Sequence, residues 1–135
     1  MKLKTIFLAL LWLTTLAAHA ATDGQGKMEA MRGKVPGSYN FWIFTPEEYE
    51  AEGRGVPLVI FLHGASLCGN NLEKVRRYGV LHAIQKGKIV PAVVLAPQNG
   101  GGAWYPKKIK DLLVWTVARY AIDPTRVCVL GMSLG

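Results

Sequence analysis

The chain has 135 residues, 50% of them apolar and 19% charged. That length suits one domain rather than two of ordinary size, and the composition excludes a disordered or collagen-like chain. The net charge of +7 is scattered, with Lys74, Arg76 and Arg77 in one place and Lys107, Lys108 and Lys110 in another. It lacks the basic stripe, interleaved aromatics or binding motif of a nucleic-acid partner. A solvated face is expected, with no nucleic acid bound.

Residues 1–20 read as a signal peptide. Met1-Lys2-Leu3-Lys4 is positive, "TIFLALLWLTTLAA" is uncharged, and Ala18-His19-Ala20 places small residues where signal peptidase cuts, before Ala21. The apolar stretch is short for a bilayer span, and no cysteine follows the cut to carry a lipid. The mature protein is therefore expected to be exported, to the periplasm or the medium, with no stable membrane anchor.

Residues 21–38 form a mature N-terminal segment whose small, polar and basic content as far as residue 36 predicts a loose stretch. The domain itself is expected over 39–135. "SYNFWIF", rich in aromatic and β-branched residues, predicts a strand. In "TPEEYEAEGRGVP" a helical turn can open at Thr45-Pro46-Glu47-Glu48 before glycine and proline close it. "LVIFLHG" is an apolar run without alternation, as in a strand covered on both faces. After the loop "HGASLCGNN", Asn70 and Glu73 have capping-box spacing and predict a helix start. Gly79 and Gly87 divide 71–88 into two short helical pieces.

"AVVLAP" predicts another buried strand, ended by Pro97, and "QNGGGAWYP" a compact loop. From Ile109 the residues Leu112, Leu113, Thr116, Val117 and Tyr120 fall on one helical stripe. Asp123-Pro124-Thr125-Arg126 predicts a turn, and "VCVLG" the last strand. Strands alternating with helices predict an α/β fold: a mostly parallel sheet with helices on both faces. Two cysteines in an exported chain can pair; Cys128, inside a strand-like run, reads instead as a small buried apolar residue, and Cys68 lies in a loop.

The chain's chemistry is concentrated in Gly131-Met132-Ser133-Leu134-Gly135, a G-x-S-x-G pattern directly after an apolar strand. A serine hydroxyl is a weak nucleophile and must stand clear of the sheet for a base to reach it. A sharp strand-to-helix turn does this but crowds the positions two before and two after the serine, where glycine removes the colliding side chains. The same turn aims backbone N–H groups, Leu134's among them, at the place where a carbonyl oxygen becomes negative. A second loop, after His63-Gly64, ends a neighbouring strand at the same carboxyl edge, where parallel sheets bind ligands.

"LVIFLHGAS", "VVLAPQNGGGAW" and "AIDPTRVCVLGMSLG", in that order and spacing, resemble the N-terminal half of α/β-hydrolases. The likeness runs over about 39–135 and is strongest to exported bacterial esterases and peptidase-like hydrolases of the carboxylesterase, polyhydroxybutyrate-depolymerase and prolyl-oligopeptidase kind. The resemblance implies that Ser133 is the acylated nucleophile and that Leu134 and Ala65 donate backbone N–H groups to the oxyanion, Ser66 being equally able to donate in place of Ala65. It makes His63 structural rather than the base.

In that family the acid and the histidine follow the serine in the chain. Here His63 and His82 precede it, His82 reading as a helix-surface or partly buried residue, and Asp111 and Asp123 are accounted for by a helix start and a turn. The sequence is thus expected to be an N-terminal fragment of a serine hydrolase, neither folding well nor turning over substrate alone.

The substrate expected is a small-molecule or polymeric carboxylic ester, with peptide hydrolysis and a non-catalytic hydrolase-like binding module as the alternatives. A dinucleotide-binding fold is disfavoured, since "NGGGAW" does not open a helix after the first strand. No cofactor and no metal are expected. Trp104 and Tyr105 are candidates to line a cleft, though covering their own loop explains them better.

Overall fold

The computed structural model describes residues 25–135; the signal peptide read at 1–20 lies outside them. Five strands, β1 (Gly26–Met31), β2 (Phe41–Pro46), β3 (Val56–Leu62), β4 (Val93–Pro97) and β5 (Ile122–Gly131), alternate in their second half with α1 (Gly79–Gln85) and α2 (Pro106–Val117). Short 3-10 turns occupy Ala65–Leu67 and Leu72–Arg76.

The strands lie in the order β1-β2-β4-β3-β5. The segment β4-β3-β5 is parallel, and β2 and β1 extend it antiparallel. The result is an α/β fold on a mixed sheet, its parallel part placed where the apolar strand runs predicted one.

The missing alternation in β3 and β4 has its cause in two cores. On one face Leu58 and Ile60 pack with Phe41, Ile43, Val93 and Leu95 under Leu112 of α2. On the other, Phe61, Val94 and Ala96 pack with Trp42 and Phe44 under Leu81 and Ile84 of α1. Each large apolar side chain buried in this way stabilises the fold by about 1.5–3 kcal/mol. Trp42 keeps its polar end satisfied by donating from Nε1 to the Leu72 carbonyl at 2.8 Å.

Several local expectations are corrected by tertiary pairing. The stretch read as loose contains β1, whose register from Gly26 opposite Pro46 to Met31 opposite Phe41 is supplied by β2 rather than by its own weak β propensity. No helical turn opens at Thr45–Glu48: β2 runs to Pro46, and Tyr49 N–H closes a turn on the Pro46 carbonyl at 3.0 Å. The cap of the Leu72–Arg76 turn is Asn71, not Asn70; its side chain accepts from Glu73 N–H at 3.1 Å.

Helix α2 begins at Pro106, ahead of Ile109, because proline suits a first helical turn whose N–H groups have no partner anyway. The turn expected at Asp123–Arg126 does not divide the chain: β5 runs through it, with an irregularity in which Val56 pairs with Ile122 and Leu58 already with Val127. Pro57, without an N–H, lies opposite the interruption.

Cys128 is exposed, not buried, and both cysteines are free thiols. The reason is β5's place at the end of the strand order, where Val129 and Leu130 are also exposed. Among the described residues no helix is long and apolar enough to cross a membrane.

Candidate active site

β3 and β5 run parallel and end side by side, Leu62 opposite Gly131. Beyond Gly131 the chain reverses tightly: Met132 N–H donates to the Leu62 carbonyl and Gly135 N–H to the Met132 carbonyl, each at 3.0 Å. The space inside this turn is closed to side chains. A Cβ on Gly131 would meet the carbonyl group of Gly135, and one on Gly135 would strike that of Leu62. At the apex Ser133 has φ +54°, the only positive φ outside glycine among the described residues. An L-residue is strained there, and the side chain so placed is exposed.

The second loop leaves β3 through His63 and Gly64, both buried, into Ala65 and Ser66, both exposed. Gly64 has extended backbone, so its conformation does not demand glycine; its neighbours do. A Cβ there would lie 3.1 Å from Tyr78 Oη, 3.2 Å from the Met132 carbonyl oxygen and 3.2 Å from Ser133 Cβ. The two loops predicted to meet at the carboxyl edge therefore touch, with Gly64 against Ser133.

His63 is fully buried and has both ring nitrogens committed. Nε2 accepts from Asn99 N–H at 3.0 Å, so Nδ1 carries the proton and donates to the Gly64 carbonyl at 2.7 Å. Burial holds its pKa below the ordinary value, opposed in part by the Gly64 bond and reinforced by the charge of Lys74. A neutral imidazole with no spare nitrogen is a brace rather than a base. His82 stands half-buried on α1.

The brace has a directional consequence. The Gly64 carbonyl is held by His63 Nδ1–H and by Leu67 N–H at 3.2 Å. The peptide is planar and trans, so the Ala65 N–H must point the opposite way. Among the described residues no backbone bond takes the N–H of Ala65, Ser66 or Leu134. An arrangement of exposed serine and unspent amides can attack a carbonyl and hold the resulting negative oxygen.

Two neighbours of this site lie in the stretch "VVLAPQNGGGAW" but were given no role by the sequence. Asn99 joins the "QNGGGAW" loop to the His63 loop: its N–H serves His63, its carbonyl accepts from Gly69 N–H at 3.0 Å, and its side chain closes on Gly101 and Gly102. Gln98 donates from Nε2 to the Leu67 and Asn71 carbonyls. Only their place immediately after a buried strand hinted at such a role.

Trp104 donates from Nε1 to the His63 carbonyl at 3.3 Å and packs edge-on against His63 and Tyr39. It covers its own loop and braces the next. Tyr105 is exposed. Among the described residues no three histidine, cysteine, aspartate or glutamate side chains converge as metal ligands would.

No protein-family model and no curated protein matches the chain. Solved structures do. A thermostable esterase superposes with a TM-score of 0.57 at 20% identity, over 84% of this chain and 36% of the esterase. A feruloyl esterase module from Clostridium thermocellum, a mutant complexed with sinapinate, superposes with a TM-score of 0.53 at 16% identity, over 86% of this chain and 48% of the module. The chain thus spans less than half the length of either neighbour. Strand order, helices on both faces and the likeness to these esterases agree: the chain has an α/β fold of the kind seen in them, over part of their length.

Proposed function

We propose that the protein is an exported serine hydrolase that cleaves carboxylic esters through an acyl-serine intermediate. One observation carries this reading: the strained Ser133, at the tip of β5 between two glycines that admit no side chain, stands against the His63-Gly64 loop. Strain of this kind persists only where the surroundings enforce it, and it marks functional sites.

In the proposed reaction the Ser133 oxygen forms a bond to the ester carbonyl carbon as a base takes its proton. The N–H groups of Leu134 and Ala65 hold the oxyanion, with Ser66 N–H equally placed beside Ala65. Collapse expels the alcohol, which takes the proton back from the base, and water then releases the acid by the same route. His63 is not that base, since neither of its nitrogens is available. The base and its acid partner are proposed to follow Ser133, in the part of the fold present in the neighbours and not spanned here. Export rests on the signal pattern at 1–20.

The test is labelling of the full-length protein with a fluorophosphonate probe, together with hydrolysis of a p-nitrophenyl ester. Wild type is expected to label and turn over, and Ser133→Ala to do neither. A wild type that does not label contradicts the reading and favours a binding module.

A further inference from the structure

We propose that Tyr78 is a positioning residue for the oxyanion loop, acting through Gly64; this rests on the hydrolase reading above. Tyr78 precedes α1 and belongs to no motif. Gly79, the first residue of that helix, has φ +79° and lies so close to β3 that a Cβ would overlap the Phe61 ring. That contact draws the start of the helix onto β3 only three residues before Gly64. The phenol of the preceding residue then reaches across the loop.

Its oxygen accepts the buried Gly64 N–H at 3.0 Å and lies 3.2 Å from Ser66 Oγ. The same oxygen and Ser133 Cβ both approach the one point above the Gly64 Cα, at 3.1 and 3.2 Å. Tyr78 is thus at the junction of the nucleophile turn and the amide loop.

The first peptide entering the loop is held at both ends and the second at its carbonyl alone. In His63–Gly64 the carbonyl accepts from Trp104 and the N–H donates to Tyr78. In Gly64–Ala65 the carbonyl accepts from His63 and Leu67, which leaves the Ala65 N–H facing away from the brace. Of these partners Tyr78 is the one that reaches the loop from the α1 side of the sheet. Without its oxygen the first peptide keeps only the Trp104 bond at its carbonyl end, and a shift of that peptide carries with it the amide proposed to face the developing oxyanion. Such a displacement weakens the transition state while leaving ester binding almost untouched.

Tyr78→Phe in the full-length protein keeps the ring and removes the acceptor. The expected result, with a p-nitrophenyl ester, is a kcat lower by about tenfold or more while KM changes less than about twofold. A residue that only supports the fold would lower the melting temperature and leave kcat and KM unchanged below it; that outcome overturns the proposal. Should Tyr78→Phe not fold, 4-fluorophenylalanine at position 78 keeps the packing and puts a poor acceptor in the place of the oxygen. It is expected to lower kcat by about two- to fivefold with KM steady, and an unchanged kcat again overturns the proposal. Fluorophosphonate labelling of wild type separates the two failures. If Ser133 labels and Tyr78 variants have normal kcat, only the positioning role is lost; if wild type does not label, the hydrolase reading itself is lost.

Discussion

Ser133 Cβ stands 3.2 Å from the point where a side chain on Gly64 would begin. The nucleophile candidate and the loop that faces it are separated by the width of one missing methyl group. Gly64→Ala has no backbone penalty to meet, since the residue is already extended. It has to displace Ser133, Tyr78 or the Met132 carbonyl by a few tenths of an ångström. The expected cost is about 1–2 kcal/mol in stability, read from chemical denaturation. The accompanying loss of the proposed esterase activity should exceed about tenfold, because reacting groups tolerate little misplacement. Unchanged activity would mean the two loops do not work as one site.

The strain at Ser133 can be measured directly. Ser133→Gly removes the side chain that makes φ +54° costly, against the greater backbone entropy that glycine loses on folding. The net expectation is a protein more stable by up to about 1 kcal/mol, and inactive. Ser133→Ala keeps the strain and should melt near wild type. Gly135→Ala is the opposite case: its Cβ would collide with the rigid Leu62 carbonyl. A loss of about 3 kcal/mol or more is expected there, with the elbow opened. Comparing the three melting temperatures checks both directions at once.

His63 predicts a pH dependence of stability. The unfolded chain binds a proton on this ring near its ordinary value of 6.5, while burial lowers that value in the folded chain. Below pH 6.5 the unfolded state therefore holds more proton than the native state. The stability contributed by the neutral ring is complete above 6.5 and is lost as pH falls toward the lower folded value. Protonation would also place an N–H on Nε2, where Asn99 N–H now donates. Denaturation at about pH 8 and about pH 5.5 should show the folded state weakening on acidification, and weakening less in His63→Ala. That variant should itself cost about 2–4 kcal/mol at the higher pH, through the unpaired Asn99 N–H and the cavity left behind. Equal acid sensitivity in both proteins would assign the effect to other groups.

How much of this was legible beforehand depends on the distance over which each feature is decided. The runs "LVIFLHG" and "AVVLAP" announced strands covered on both faces, because burial on both sides removes the alternation a half-exposed strand would carry. Gly131-Met132-Ser133-Leu134-Gly135 announced a turn that admits no side chain at two positions, a constraint local to five residues. The α/β class followed from the alternation of these patterns.

β1 and Cys128 were misread for the opposite reason. Whether Gly26–Met31 is a strand depends on β2 offering it a partner, and whether Cys128 is covered depends on the place of β5 at the end of the strand order. Neither property belongs to the residues themselves. The same holds for Asn99 and Tyr78, whose roles consist in hydrogen bonds to a loop 36 and 14 residues away in the chain. The burial of the central strands and the conformation of the glycine-flanked turn are short-range and were written in the sequence. The partner of each polar group was not, because only the packed sheet brings Tyr78, Gly64 and Ser133 to a common point.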